Sequence, residues 1–279
     1  MVDPPMLKFH PKSRQGLQIL PMIFALICPS LSFAAPAWMS ELSPPKPGPH
    51  PPIPSCTVNL RVSWKGLLDS GLMRVEFQPR GASKPGKISI RSEVRSTGAA
   101  AKLFPYKSHA WSEIDPTTLK PLFFQSTETD RSETLTTTLR HTLNSVNCEE
   151  KSRDHKSGKL SESRKTFTHQ PVYDLFSAML FIRSQNLREG DSYKLLIYPF
   201  KQPYLLHVTV RGRENHQQQK CIRLGVNLRK INAKTLELMP YKKLKREATL
   251  WLSDDTARVP LELRAAVFVG DVRATRVGT

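Results

Sequence analysis

Residues 204–211 read Tyr-Leu-Leu-His-Val-Thr-Val-Arg, and residues 222–228 read Ile-Arg-Leu-Gly-Val-Asn-Leu. In the first stretch Tyr204, Leu206, Val208 and Val210 fall two apart, opposite Leu205, His207, Thr209 and Arg211; in the second, Ile222, Leu224, Val226 and Leu228 repeat the spacing. Side chains of an extended chain alternate between two faces, so a period of two marks strands with one face buried. The rhythm continues outward from these stretches. Val58, Leu60, Val62 and Trp64 carry it, then Met73, Val75 and Phe77 after Gly71, then Ile88 and Ile90. Toward the C-terminus it returns in Leu250 and Leu252, and in Val259, Leu261, Leu263, Ala265, Val267 and Val269. Many such strands at short spacing predict an antiparallel sandwich or barrel.

Two segments break the alternation. Residues 99–103 are sized for one or two helical turns. Residues 175–183, Leu-Phe-Ser-Ala-Met-Leu-Phe-Ile-Arg, predict a longer helix. Asp174 is its expected N-cap, because a carboxylate there accepts from the open N–H groups of the first turn. Phe176, Met179, Leu180 and Phe181 leave little polar face, so the helix is expected to be buried. The predicted fold class is therefore mainly β (α+β): a strongly curved antiparallel sheet or half-barrel wrapping a short buried helix. Phe176, Met179 and Leu180 are then the candidate lining of an apolar cavity. Residues 149–166 are charged and serine-rich without a period, which predicts an exposed loop or a long hairpin tip.

The N-terminus carries Lys8, Lys12 and Arg14, then an apolar run over residues 17–28, then Pro29-Ser30 and Ser32-Phe33-Ala34. That order predicts a secretory signal peptide over residues 1–34, cut after Ala34; the apolar run is short for a membrane span. Bulky Ile27 ahead of Cys28 is wrong for a lipoprotein signal. Residues 35–57 contain Pro-Pro-Lys-Pro-Gly-Pro-His-Pro-Pro-Ile-Pro at 44–54, which predicts an extended spacer. Residues 58–279 follow as a single β-rich domain. The expected location is exported, periplasmic or associated with the cell envelope.

The chain carries a formal net charge of +18, and loss of three cations and one acid with residues 1–34 would leave +16. The excess recurs in Arg211/Arg213, Lys220/Arg223, Arg229/Lys230 and Lys242/Lys243/Lys245/Arg246. Charge of this kind speaks about partners, not fold. In an exported protein it points to an anionic membrane surface, lipopolysaccharide or acidic polymer, and away from nucleic acid. An oxidising compartment permits one disulfide among Cys56, Cys148 and Cys221, with all three pairings open.

No catalytic pattern emerges. Gly81-Ala-Ser-Lys-Pro-Gly86-Lys87 matches the spacing of a phosphate loop, but Ile88 stands where Ser or Thr would hold magnesium and Pro85 removes an N–H donor. A turn is the better reading. Cys148, Glu149, Glu150 and His155 sit near one another only in sequence. Asp254 and Asp255 suggest a carboxylate pair, but adjacent residues of a strand point to opposite faces and aspartate favours turns. Asp174, Trp251, Asp254 and Asp255 are therefore assigned structural roles. No catalytic residue, metal ligand or cofactor site is predicted.

Several of these residues carry a family resemblance. Trp251-Leu-Ser-Asp-Asp255, Arg258-Val-Pro-Leu-Glu-Leu263 and Gly270-Asp-Val-Arg-Ala274 resemble the end of the bacterial domain of unknown function 3108 family. Asp174, Ser177 and Ala178, with Ile182-Arg183-Ser184 and Leu187-Arg-Glu-Gly190-Asp191, are similar to its helical segment, with Ile182 where the pattern has Leu. Ser112-Glu-Ile-Asp115 with Thr118-Leu119 and Pro121, and the entry strand Val62-Ser-Trp-Lys-Gly66, extend the likeness over residues 58–279. The resemblance implies an exported, β-rich domain of uncharacterised activity. It is similar, more loosely, to the half-barrel lipoprotein carriers of the bacterial envelope. The functional expectation is a non-catalytic protein that binds or carries an apolar or amphipathic envelope molecule such as a lipid. The alternative is a scaffold whose basic surface docks an anionic envelope component or a protein partner.

Overall fold

The structure, a computed structural model, describes residues 35–50, 54–78, 81, 85–199, 202–267 and 270–278. The expected signal segment lies outside the described residues. Three short helices, α1 (Ala37–Ser40), α2 (Gly98–Leu103) and α3 (Leu175–Ser184), accompany fifteen strands. The strands before α3 are β1 (Cys56–Trp64), β2 (Leu68–Phe77), β3 (Ile88–Ser96), β4 (Lys107–Ile114), β5 (Pro121–Thr129), β6 (Glu133–His141), β7 (Val146–Asp154) and β8 (Leu160–Phe167). Those after it are β9 (Ser192–Ile197), β10 (Tyr204–His216), β11 (Gln219–Ile231), β12 (Leu238–Pro240), β13 (Ala248–Ser253), β14 (Pro260–Val267) and β15 (Gly270–Arg276).

All of them join one antiparallel sheet, in the order β8-β7-β6-β5-β4-β3-β2-β1-β15-β14-β13-β11-β10-β9, with β12 beside β11. The expectation of a mainly β fold holds. β1 pairs with β15, placing Leu60 opposite Arg276 and Trp64 opposite Val272. The path is open: among the described residues, β8 and β9 end it without pairing to each other. Because neighbours run antiparallel, the β1–β2, β3–β4, β5–β6 and β14–β15 connections fall at one end of the strands, called the rim below. The β2–β3, β10–β11 and β13–β14 connections fall at the opposite end.

α3 forms where the sequence places it. The Asp174 carboxylate accepts from the Ser177 N–H at 2.7 Å, and the Ser177 hydroxyl accepts from the Asp174 N–H at 2.9 Å, a reciprocal cap. The helix separates two apolar clusters. Ala178, Phe181 and Ile182 pack with Val208, Leu224 and Leu252. Leu180 packs with Val58, Val75, Ile90 and Ile114 on the other side. The Ser112 hydroxyl on β4 donates to Asp174 at 2.5 Å, tying the cap to the sheet.

Three expectations are corrected. Residues 149–166 are not a loop: most of them form β7 and β8, with the turn between, at residues 155–159, matching the hairpin tip. Their faces are polar on both sides, so no period is visible. The ladder is aligned instead by cross-strand pairs such as Glu149 with Arg164 (3.1 Å) and Glu150 with Lys165 (3.2 Å). Of the run 259–269, residues 260–267 form β14, Val259 stands ahead of it and Val269 lies outside the described residues, while Gly270 opens a separate strand, β15. The proline-rich segment is also not a free spacer, since residues 36–279 form one compact unit. Trp38 is buried and donates to the Leu236 carbonyl (2.8 Å), Ser43 exchanges hydrogen bonds with Lys194 on edge strand β9, and the Gly48 N–H donates to Thr117. Among the described residues no disulfide joins Cys56, Cys148 or Cys221.

Candidate functional site

The α3-facing side of the sheet is organised in rows that cross the strands. Val58, Val75, Ser92, Ala110 and Ser126 are successive register partners, as are Leu60, Met73, Val94, Ser108 and Glu128. Each row passes from aliphatic side chains on β1 and β2 to hydroxyl and carboxylate groups by β5. On the far side of α3, Val208–Val226–Ala248 and Val210–Leu224–Leu250–Leu263 stay apolar throughout.

Two cavities lie between these rows and α3. One, of about 390 Å³, runs along β1–β5; the other, of about 470 Å³, runs along β10–β14. They share Leu175 and Met179 of α3 and Leu250 and Leu263 of the sheet as walls. The first is mostly apolar but carries Ser92, Ser108, Ser126, Tyr106 and Glu128 on one wall. The Tyr106 hydroxyl donates to Glu128 at 3.0 Å, and burial, with Glu128 beside it, pushes the phenol up to about 12. It is therefore a permanent donor at neutral pH. The second cavity is almost wholly hydrocarbon, with the Tyr241 and Lys243 side chains at its rim end. A wider cleft of about 780 Å³ lies against α1, but charged groups such as Glu41, Lys194 and Arg229 mix with its apolar walls.

Of the three predicted lining residues, Phe176 and Met179 line the first cavity, and Met179 also lines the second. Leu180 lines neither. Its side chain points into the packed cluster under β1–β4 and is 2% exposed. Leu175, 44% exposed and shared by both cavities, takes the place expected for it. The polar wall on β4 and β5 went unread because those strands lack apolar alternation. The available signal was the β-branched Thr134, Thr136, Thr137 and Thr138, strong strand formers, on the neighbouring β6.

The residues assigned structural roles sit away from both cavities. Asp174 is fully buried, and burial raises its carboxyl above the ordinary range despite the bonds from Ser112 and Ser177. Asp255 accepts from the N–H groups of Ala257 and Arg258 (2.9 and 2.8 Å) in the bend after β13, and Asp254 pairs with Arg213 at 3.1 Å. Trp251 lies on the opposite face of β13 from Leu250. It donates to Glu214 (2.7 Å) and stacks on His216 (4.3 Å between rings), which in turn bonds buried Glu262 (2.8 Å). The Cys148 and His155 of the polar segment are separated. Cys148 is buried in β7, whereas His155 lies in the β7–β8 turn with its ring on Thr134 (3.0 Å). Among the described residues no cluster of His, Cys, Asp and Glu has the arrangement of a metal site.

A family profile described as "Protein of unknown function (DUF3108)" matches residues 59–277. The chain belongs to the DUF3108 family. The matched span runs from within β1 to the end of β15, so it takes in the walls of both cavities except Val58. No curated protein matches the chain significantly. Among solved structures, this DUF3108 domain is similar to a β-barrel-like protein of domain of unknown function DUF1849 from Brucella abortus. That likeness covers 79% of this chain and 94% of the other, at 9% identity and a TM-score of 0.51, and it is a likeness of fold.

Proposed function

We propose that the protein binds or carries an amphipathic, lipid-like molecule of the bacterial cell envelope, in a half-barrel made by the sheet curving round α3. The observation that carries this reading is the pair of apolar cavities meeting at Leu175, Met179, Leu250 and Leu263. Their sizes fall within the roughly 300–1,000 Å³ of small-molecule sites. Both spaces are walled mainly by hydrocarbon, so an apolar body seated there would be removed from water. The hydrocarbon wall of β10–β14 suits an acyl or other apolar body. The hydroxyl and carboxylate wall of β4 and β5 suits a polar head. The reading is one of binding without turnover or cofactor, and the leader-like residues 1–34 support a site of action after export, in the periplasm or envelope. The cavities weigh against a purely packed scaffold.

The test is a titration of the full chain with a fluorescent fatty-acid probe, beside the cavity-filling variant Ala265→Trp. The variant is expected to bind at least about ten-fold more weakly, a loss of about 1.4 kcal/mol, while keeping a cooperative melt. Equal binding by a folded Ala265→Trp protein, or no binding by the wild type, would overturn the proposal.

A further inference from the structure

Strand ends at the rim carry a set of side chains that the cavity does not use. The β1–β2 turn presents Trp64, Leu67 and Leu68, 40%, 88% and 49% exposed, and the stretch after α2 presents Leu103 and Phe104, 64% and 77% exposed. These tips are joined into one edge. The Thr97 N–H ahead of α2 donates to Ser70 at the start of β2 (3.0 Å), and Arg131 in the β5–β6 turn donates to the Lys102 and Leu103 carbonyls (2.9 and 3.1 Å). On the other side the Lys65 N–H donates to the Asp271 carbonyl (2.7 Å), and Arg246 reaches the Asp271 carboxylate (3.2 Å). Gly270, at φ +115°, leaves the space that the Trp64 indole occupies. The segment with Lys242, Lys243 and Lys245 is pinned to the same edge, because Leu244 bridges Val267 and the Lys245 N–H donates to Ala266 (2.8 Å).

Part of the basic excess is paired: Arg211 by Glu247 (2.7 Å), Arg213 by Asp254 (3.1 Å) and Arg223 by Glu214 (3.2 Å). Lys242, Lys243 and Lys245 are exposed and have no ion pair among the described residues. Isolated exposed leucines need no explanation, but turns that together present Trp, Leu and Phe beside free lysines are unusual for a surface facing only water.

We infer that the rim is a membrane-docking edge for a bilayer bearing anionic phospholipid. The apolar tips enter the interfacial layer, where Trp and Leu are favoured, and the lysines sit at the level of the phosphates. A bilayer is the fitting occupant because the apolar groups stand on separate tips, not in one groove, and because the unpaired Lys242, Lys243 and Lys245 stand together beside them. No helix among the described residues is long and apolar enough to cross a membrane. Tyr106 and Glu128 line the first cavity, and Lys243 and Leu244 the second, from this same end, so docking would turn the cavities toward the bilayer. The inference goes beyond the cavity reading and is tested with residues that line neither cavity.

The full chain is mixed with vesicles of phosphatidylcholine containing or lacking phosphatidylglycerol. Partition is measured by flotation and local protection by hydrogen exchange. Wild type is expected to bind the anionic vesicles, with protection over residues 64–68, 102–106 and 242–246. Lys242→Gln with Lys245→Gln should weaken partition about 30-fold at low salt, from about one unit of surface attraction per lysine. Leu67→Ser with Phe104→Ser should weaken it about ten-fold or more. Both pairs change exposed side chains and should leave the melt unaltered. Wild type and variants share residues 1–34, so a difference between them reports on the rim. Equal partition of wild type and both variants, protection confined to other faces, or concentration-dependent self-association lost in Leu67→Ser with Phe104→Ser would each overturn the inference. Retained probe binding in these variants would separate failure at the rim from failure of the cavity.

Discussion

The sheet has two halves that share a ladder but not a chemistry. In β10–β14, rows such as Val210–Leu224–Leu250–Leu263 bury hydrocarbon against α3. In β5–β8, threonine pairs and ion pairs align the strands: Thr127 faces Thr136 at 3.2 Å, Ser163 donates to Glu150 at 2.9 Å, and seven of the eight residues of β8 are exposed. Both solutions satisfy the backbone, but the first buries hydrocarbon along whole rows, whereas the second buries it only at the end away from the rim, where Phe124, Leu139, Val146, Cys148 and Phe167 cluster. The halves then take different parts: β10–β14 form the hydrocarbon wall of the cavities, β5 contributes to their polar wall, and β6–β8 extend the sheet beyond them.

The comparison fails if the halves respond alike to mutation. Leu224 is fully buried in the apolar half, and Leu224→Ala is expected to cost about 2–5 kcal/mol in a denaturant melt. A cost near zero would mean that the apolar rows are not the stability core.

The polar half has its own weak point. His141 closes β6 with both ring nitrogens buried and lacking hydrogen-bond partners among the described residues, and burial depresses its pKa to about 4. The unfolded histidine takes up its proton near the ordinary value of 6.5, well before the folded one does. Between about pH 4 and 6.5 the unfolded state therefore holds more protons, and stability is lost as pH falls through that window. The loss should reach about 3–3.5 kcal/mol, at about 1.4 kcal/mol per unit of displacement. His141→Leu should flatten that part of the pH–stability curve, and an unchanged slope would show that His141 is solvated.

Asp174 joins the halves, capping α3 while accepting from Ser112 on β4. Asp174→Ala should cost about 1–2 kcal/mol, the usual range for a lost cap. Its raised pKa gives the opposite sign to that of His141. The stability it contributes is complete below the ordinary carboxylate range and declines as pH rises through the raised value. Thermal melts of Asp174→Asn, which keeps a capping oxygen, should lose that decline. The smallest effect is expected at Leu160, 74% exposed at the start of β8, where Leu160→Ser should stay within about 0.5 kcal/mol. A larger loss would mean that β8 is covered in solution.

The same contrast decides what could be read without the fold. β1, β2, β10, β11 and β13 were legible because burying one face forces apolar residues to alternate. α3 was legible because Asp174, a good N-cap, stands before an apolar run; the reciprocal bond from Ser177 became visible only in the structure. β7 and β8 were not, since Glu149 and Arg164 find each other only after the strands pair. Phe176 and Leu180 share a helix face at a spacing of four, yet one turn of rise takes Leu180 out of the cavity and into the core. Periodicity gives a face and not a depth. The cavity's polar wall and the rim both depend on which strands become neighbours, and that is a property of topology.

The central claim is that the cavities beside α3 hold an amphipathic molecule. Native mass spectrometry of the full chain, extracted from its own membrane fraction in mild detergent, tests it most directly. The account predicts a protein peak carrying a lipid-sized adduct, which collisional activation removes and which is much diminished in Ala265→Trp. A wild-type chain that appears only at its bare mass, and takes up no added phospholipid or fatty acid, would contradict it.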